Sequence, residues 1–362
     1  MAFDIPSRMR AVVLTGPGKF EIQEADVPKP GPNEVLCRIG GVAICGSDPE
    51  VIRGDLAGEW PPSYPFIAGH EWAGRVAALG ENVSAFQVGQ RVAGEAHKGC
   101  GFCRNCLAGR YTLCYNYGNP GAGHRHYGFR TNGAYAQYAV YHIQSVTAMP
   151  DNVSYQEGAM CDTAGVALHG VELSGITPGG TVAVIGPGPI GIMAMKLARA
   201  AGAARLIVVG RGSRLTAAKS YGCDDAVDIT ACDPVEKVRE MTGGFGADEC
   251  FECSGAPGTF NQAVRMVRKG GTVTLLGVAT ADVMEPLPFK YVTHNEITIH
   301  GSRANPNVSW KVLSLISRGN IAVRDMVTHT YPLEKFAEGL DTFVKRKDNV
   351  MKVVFLPNGE DA

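Results

Sequence analysis

Residues 181–191 read TVAVIGPGPIG, and the segment after them, Ile192–Ala201, is rich in Ala and Met. An apolar run, Val182–Ile185, leads directly into Gly186-Pro187-Gly188-Pro189-Ile190-Gly191, and Ile192–Ala201 has high helix propensity. Strand, glycine turn and helix together are the context in which G-x-G-x-x-G reads as a dinucleotide-binding turn. Gly186 makes the tight turn, Gly188 puts no Cβ between backbone and pyrophosphate, and Gly191 lets helix and strand pack closely. Pro189 and Ile190 open the helix, whose unpaired N–H groups face the phosphates. A glycine turn of this kind also occurs for packing alone, so the flanking sequence decides.

Outward from this turn the pattern is α/β. From about Ser154, apolar strands recur at Val182–Ile185, Leu206–Val209, Glu249–Glu252 and Thr272–Leu276, with helical segments between them. This predicts a doubly wound parallel sheet, a Rossmann domain, over residues 154–299. The end of its second strand bears on the choice of cofactor. A site for NAD places a carboxylate there for the ribose 2′-OH. This chain instead reads Leu206-Ile207-Val208-Val209-Gly210-Arg211-Gly212-Ser213-Arg214. Gly210 makes room, and Arg211 and Arg214 offer planar forks suited to a 2′-phosphate, so the expectation is NADP. NAD is the alternative, with one arginine a solvated residue at a helix start. Asp224 and Asp225 come too late for the role, because Ala217–Tyr221 reads as helix. Ser254, in Cys253-Ser254-Gly255-Ala256, and Gly277 and Val278, after Leu276, succeed strands at their carboxyl ends. In such a sheet those positions face the ligand crevice.

The totals agree with a globular chain long enough for two domains. The chain has 362 residues, 45% apolar and 19% charged, with a net charge of −1. That balance gives no support to a nucleic-acid or anionic-membrane partner. No run approaches a membrane span, and the first residues lack the plan of a signal peptide. Eleven cysteines in such a chain point to a reducing, cytoplasmic setting, with thiolates serving metals.

Residues 10–150 are β-rich, with short apolar runs at Arg10–Leu14, Glu34–Val42, Trp72–Leu79, Arg91–Ala93 and Tyr135–Tyr141. Their irregular spacing suggests a barrel-like domain with long loops. Within it, Cys100-x2-Cys103-x2-Cys106-x7-Cys114 can close a tetrahedron around one zinc, with Gly99, Gly101 and Gly109 letting the backbone curl. Four protein ligands leave no open position, so this ion is structural. A second set is scattered: Cys45 in Ile44-Cys45-Gly46-Ser47-Asp48, and His70 in Gly69-His70-Glu71. Either residue alone reads as a packing residue. Together, each beside a glycine and a carboxylate, they can supply two ligands of an open zinc site, with Asp48 or Glu71 orienting a ligand.

Taken in order, Cys45-Gly46-Ser47-Asp48, Gly69-His70-Glu71, the four-cysteine loop and Gly186–Gly191 make the chain resemble the zinc-dependent medium-chain dehydrogenases, the group of alcohol, sorbitol and threonine dehydrogenases. The resemblance runs from about residue 10 to 356. It implies that Cys45 and His70 bind a catalytic zinc and that Ser47 takes the proton from the substrate hydroxyl. It implies a third ligand seven residues before a histidine, which in Cys161–His169 selects Asp162, with Cys161 as the rival. Glu50 stands where many members carry a relay histidine; it is either a carboxylate base in the same relay or a solvated surface residue. The resemblance places Ser254, Gly277 and Val278 on the nicotinamide side of the cofactor. It also implies a discontinuous, GroES-like catalytic domain of residues 1–153 and 300–362, and a homodimer or homotetramer. The expected activity is hydride transfer between a secondary alcohol or polyol, or the matching ketone, and NADP. A hydrophobic or cyclic secondary alcohol with NAD is the alternative. Trp60, Tyr64 and Phe66 suit a hydrophobic alcohol; Glu50, Arg53, His124 and His126 suit several hydroxyls. The loop Tyr115–Asn132 either borders the substrate or is plain surface. A zinc-free quinone or enone reductase and a zinc-ribbon binding module are the rivals. Two zinc ions per chain, against at most one, separate the first reading from both.

Overall fold

A computed structural model of the chain describes residues 4–278 and 284–359. The outermost residues of the expected catalytic domain, 1–3 and 360–362, lie outside the described residues. The chain divides into two compact units, one made of residues 1–162, 305–319 and 323–362, the other of 163–304 and 320–322.

The second unit holds a six-stranded parallel sheet in the order Asp225–Asp228, Arg205–Gly210, Thr181–Ile185, Ala247–Glu252, Val267–Leu275, Thr298–Gly301. The third strand in sequence lies at one edge, and the order reverses beside Thr181–Ile185, which makes that strand's carboxyl end the switch point where ligands bind. Val182, Ala183 and Val184, and Leu206 through Val209, have no exposed surface, as expected for strands covered on both faces. The helix after the glycine turn is Pro189–Ala200; Ile192 through Met195 are fully buried. One expectation is corrected: the helix after the second strand is Gly212–Ala218, so it ends where Ala217–Tyr221 was expected to continue it. Gly222 at φ +103° and Cys223 then turn the chain into the third strand.

The first unit is built on a seven-stranded sheet. Its main order is Val327–Pro332, Lys352–Leu356, Glu34–Ala43, Glu71–Leu79, Arg91–Gly94, Val146–Ala148, and Tyr138–His142 also pairs with Glu34–Ala43. The expected runs are thus strands, with Tyr135–Tyr141 beginning at Tyr138 instead. A hairpin of Arg8–Gly16 and Lys19–Asp26 forms a separate two-stranded sheet, bridged to the rest of the unit at Ala11–Ala136 and Leu14–Phe66. Its second strand was not legible because it is exposed along most of its length and has few apolar residues. The core is a continuous cluster in which Trp72 stacks on Tyr141 at 4.1 Å and Phe336 packs on Phe355 at 4.9 Å. The carboxyl-terminal strand Lys352–Leu356 is entirely buried and pairs antiparallel with Val42 and Ala43. Among the described residues no helix is long and apolar enough to cross a membrane.

Candidate metal centres and dinucleotide site

The four-cysteine loop forms a compact lobe. The sulfurs of Cys100, Cys103, Cys106 and Cys114 lie within 4.8 Å of one another. Cys100 and Cys106 are 3.8 Å apart, and Cys103 and Cys114 are 4.0 Å apart. A zinc–sulfur bond of about 2.3 Å gives a tetrahedral edge of about 3.8 Å, and a disulfide would need about 2.05 Å. The set therefore fits a zinc and is not a pair of disulfides. Backbone N–H groups of Cys100 and Asn116 donate to Cys114 Sγ at 3.4 and 3.3 Å, and that of Cys103 to Cys100 Sγ at 3.4 Å. Burial pushes the Cys100 thiol up, but bonds from Asn116, Phe102 and Cys103 outweigh it and bring it down to about 6. Gly99 is forced: a Cβ there would sit 2.5 Å from Cys106 Sγ.

The second metal set assembles from three elements. Cys45 precedes the short helix Asp48–Arg53, His70 immediately precedes the strand Glu71–Leu79, and Glu71 opens it. Their ligand atoms lie within 4.8 Å of one another. Asp162, in the first turn of the helix Cys161–Ser174, lies outside that set but interacts electrostatically with both His70 and Glu71. It is buried, and Asn305 Nδ2 donates to its Oδ1 at 2.9 Å. Burial, with Glu71 adding, lifts its pKa to about 6. Cys161 faces elsewhere: its thiol donates to the Ser309 carbonyl at 3.6 Å, and burial pushes it far up, away from the thiolate form.

Orientation comes from Asp48. Its Oδ2 accepts from the Cys45 N–H at 2.8 Å and from the Tyr135 hydroxyl at 2.7 Å. Its Oδ1 and His70 Nδ1 have no hydrogen-bond partner, and they lie 3.7 Å apart. A proton on Nδ1 turned to Asp48 leaves Nε2 as the lone-pair donor, the usual arrangement of a metal-ligating histidine. Burial works against a charge on His70, yet the negative charges of Cys45, Asp48 and Asp162 lift its pKa to about 10. Such a surplus of negative donors suits a dication. Glu71 is matched separately by Lys352, whose ammonium donates to Glu71 Oε2 and to the Ile44 carbonyl at 2.8 Å. Lys352, Asn305 and Tyr135 were not anticipated as part of the site. A single lysine opening the apolar strand KVVFL was the available signal, since a buried charge requires a partner.

Ser47 caps the helix Asp48–Arg53 without a side-chain capping bond, and its Oγ is buried with no partner. Glu50, in the first turn of that helix, is half-buried, and burial raises its carboxyl above the usual range. Arg53 turns to Asp55 at 2.6 Å. From the Tyr115–Asn132 loop, Phe129 packs on His70 at 4.5 Å and on Trp60 at 4.9 Å. Phe129 also stacks on His126 at 4.1 Å, and His126 Nδ1 bonds the Tyr117 hydroxyl at 2.7 Å. The loop thus forms an aromatic wall beside His70, and Phe129 was not singled out within it.

In the second unit the glycine turn has the form the motif needs. Gly186 has φ +96°, and a Cβ at Gly191 would lie 2.0 Å from the Gly186 carbonyl oxygen. Gly188 caps the helix Pro189–Ala200 with no side-chain bond to the first N–H groups. Among the described residues, and leaving out its chain neighbours, a Cβ at Gly188 would have within 4 Å Arg214 Nη1 alone, at 3.7 Å. This open cradle at a helix start fits a pyrophosphate. Gly210 packs so closely on Pro187 that a Cβ would sit 2.4 Å from its Cδ. Arg211 is exposed and Ser213 lies two residues on; no carboxylate occurs between Leu206 and Arg214. Gly186, Ser254 and Gly277 converge: a Cβ at Gly186 would meet Ser254 Cβ at 3.0 Å, and one at Gly277 the Ser254 N at 2.9 Å. Glu252 holds this corner by accepting from the Ser254 and Gly255 N–H groups at 2.9 and 3.0 Å. Val278, beyond it, is exposed.

Comparison with known proteins shows the family. Residues 31–151 match the alcohol dehydrogenase GroES-like domain, and residues 189–318 the zinc-binding dehydrogenase domain. The chain is 32% identical to sorbitol dehydrogenase of Bacillus subtilis (strain 168) over 99% of its own length and 100% of the relative's. It is 35% identical to L-threonine 3-dehydrogenase of Deinococcus deserti over 89% of this chain and 91% of that one. Among solved structures it is similar to a zinc-binding dehydrogenase from Sinorhizobium meliloti 1021 bound to NADP, with a TM-score of 0.88 and 31% identity over 97% of this chain and 100% of that one. Two family domains in sequence and relatives matched end to end make this chain a member of the zinc-dependent medium-chain dehydrogenase/reductase family, an oxidoreductase acting on the CH–OH group of small alcohols.

Proposed function

We propose that the chain is a zinc-dependent dehydrogenase of a secondary alcohol or polyol that prefers NADP. The observation that carries the cofactor choice is the carboxylate-free strand end Gly210–Arg214, with Arg214 beside the glycine turn. Arg211 and Arg214 would bind the 2′-phosphate, Gly186–Gly191 the pyrophosphate, and Ser254, Gly277 and Val278 the nicotinamide side. Four-cysteine ligation would hold a structural zinc.

For the catalytic zinc we take Cys45, His70 and Asp162 as donors. Glu71 belongs to the compact set, but its charge is already matched by Lys352. One thiolate and the Asp162 carboxylate neutralise a dication, and buried charge requires such balance. Three protein donors leave one position open. When bound there, zinc supplies a Lewis acid for the substrate oxygen, and the nicotinamide supplies the hydride acceptor.

The protein's own residues orient the alcohol and move its proton. Ser47 Oγ, buried and unpartnered, receives the hydroxyl proton, and Glu50 three residues on is the next acceptor. Phe129 and Trp60 keep the region beside His70 dry and flank the substrate carbon chain. A second subunit would complete the assembly as a homodimer or homotetramer.

The test is a rate comparison of NADP⁺ and NAD⁺ over a panel of polyols, amino alcohols and hydrophobic secondary alcohols, with zinc assayed in the same preparation. Faster oxidation with NADP⁺ by protein holding two zinc ions per chain supports the reading, and the best alcohol defines the substrate. A preference for NAD⁺ would make Arg211 and Arg214 surface residues and overturn the cofactor choice. One zinc per chain and no alcohol oxidised would remove the catalytic ion.

A further inference from the structure

We infer that the segment Asn305–Ser309 is a positioning strap that ties the four-cysteine lobe to Asp162, so that the lobe sets the metal affinity of the catalytic site. This rests on Asp162 being a zinc donor, as proposed above.

The strap is fastened at three alternate residues. Asn305, 1% exposed, donates from Nδ2 to Asp162 Oδ1 at 2.9 Å. Asn307 donates from its backbone N–H to the Tyr111 hydroxyl at 2.8 Å, and from Nδ2 to the Gly109 carbonyl at 2.7 Å. Tyr111 and Gly109 both lie between Cys106 and Cys114, inside the lobe. Ser309 donates from Oγ to Glu95 Oε2 at 2.8 Å, and its carbonyl accepts the Cys161 thiol at 3.6 Å. Glu95 closes the loop, since its Oε1 accepts from the Tyr111 hydroxyl at 2.5 Å. Ala96, the next residue, gives its backbone N–H to Asp162.

Two routes therefore run from the lobe to one carboxylate. One passes through Tyr111, Asn307 and Asn305 to Asp162. The other passes through Tyr111, Glu95 and Ala96 to the same side chain. Tyr111 is the shared node. Gly99 holds it close to the lobe sulfurs: a Cβ there would lie 2.5 Å from Cys106 Sγ and 2.7 Å from Tyr111 Cβ. Glu95, Asn305, Ser309 and Asp162 are buried, so a bond lost at that end of either route is not readily replaced by water, whereas Asn307 at the lobe end is exposed. Outer-shell partners of metal ligands fix the ligand's orientation, and their loss typically weakens metal binding by about 10–100-fold. Tyr111, Glu95, Asn305 and Asn307 are thus positioning residues, two or more bonds away from any reacting atom.

The experiment uses the full-length protein with both zinc ions. Four proteins are compared: the parent, Asp162→Asn, Tyr111→Phe and Glu95→Gln. The readouts are the competition of a chelator for the exchangeable zinc and the visible absorption of cobalt(II) loaded into that site. Tyr111→Phe removes one hydroxyl and keeps the ring, and Glu95→Gln keeps the shape, so each variant retains its lobe zinc. The expected result is that Asp162→Asn, Tyr111→Phe and Glu95→Gln all bind the exchangeable ion about tenfold or more weakly. The cobalt spectrum shifts in Tyr111→Phe and Glu95→Gln, which a loss of general stability would not produce. If Asp162→Asn weakens the ion while Tyr111→Phe and Glu95→Gln leave affinity and spectrum at parent values, the strap is overturned and the donor assignment stands. If Asp162→Asn itself has no effect, the donor assignment fails and the strap falls with it.

Discussion

At the scale of single residues, two charged features lead to direct predictions. Arg211 and Arg214 are the only charged residues in 206–214. Charge-assisted bonds to a phosphate contribute about 1.5–3 kcal/mol each. The double variant Arg211→Ala/Arg214→Ala should raise the KM for NADP⁺ by about tenfold or more and leave that for NAD⁺ nearly unchanged, as read from initial rates. Lys352 is the second feature. It is 1% exposed and paired with Glu71, which is 2% exposed. Removing one member of a buried pair strands the other charge, at a cost of about 3–5 kcal/mol. Lys352→Met should therefore lower the urea midpoint sharply. Trp60, Trp72 and Trp310 all belong to the first unit, so tryptophan fluorescence reads that unit's transition alone. His70 shows how little a residue's identity says by itself. A lone histidine was ambiguous in sequence; Asp48 at 3.7 Å and Cys45 and Glu71 within 4.8 Å give it a chemistry.

At the scale of elements, the glycine turn and the four-cysteine lobe were legible because their contacts are local. A turn needs glycine where the backbone bends, and the four cysteines of the lobe all fall within residues 100–114. The strand Tyr138–His142 shows the opposite case, because its last residue is set by packing. Burial, with Lys98 and Arg125 nearby, lowers the His142 pKa from 6.5 to about 4. Its Nδ1 accepts the Gln144 N–H at 3.2 Å, which caps the turn Ile143–Ser145 and requires the neutral ring. The unfolded chain takes up a proton near pH 6.5 and the folded chain only near pH 4. Stability contributed here is therefore intact above about pH 6.5 and lost as the pH falls toward 4. His142→Asn keeps a capping acceptor and removes the titration. Proton uptake on unfolding at pH 5 should fall by about one, measured by potentiometry or from the pH slope of stability.

At the scale of the whole molecule, ligand binding reads out the second unit. A ligand that binds only the folded state raises stability by RT ln(1 + [L]/Kd), about 2.7 kcal/mol at a hundredfold excess over Kd. NADP⁺ should raise the midpoint of thermal unfolding more than equimolar NAD⁺, and the Arg211→Ala/Arg214→Ala variant should lose that difference. By itself the sequence determined the α/β unit, the glycine turn and the four-cysteine lobe. Each is written in neighbouring residues, by apolar runs, glycine placement and ligand spacing. The resemblance carried by the motifs also implied Cys45, His70 and Asp162 as one ligand list. Only the tertiary structure decided which carboxylate stands where. Asp48 reaches His70 across 22 positions, Lys352 reaches Glu71 across 281, and Asn305 reaches Asp162 across 143. Such pairs leave no periodic trace, because each partner is buried by its own strand or turn and they meet only when the sheet brings the elements together.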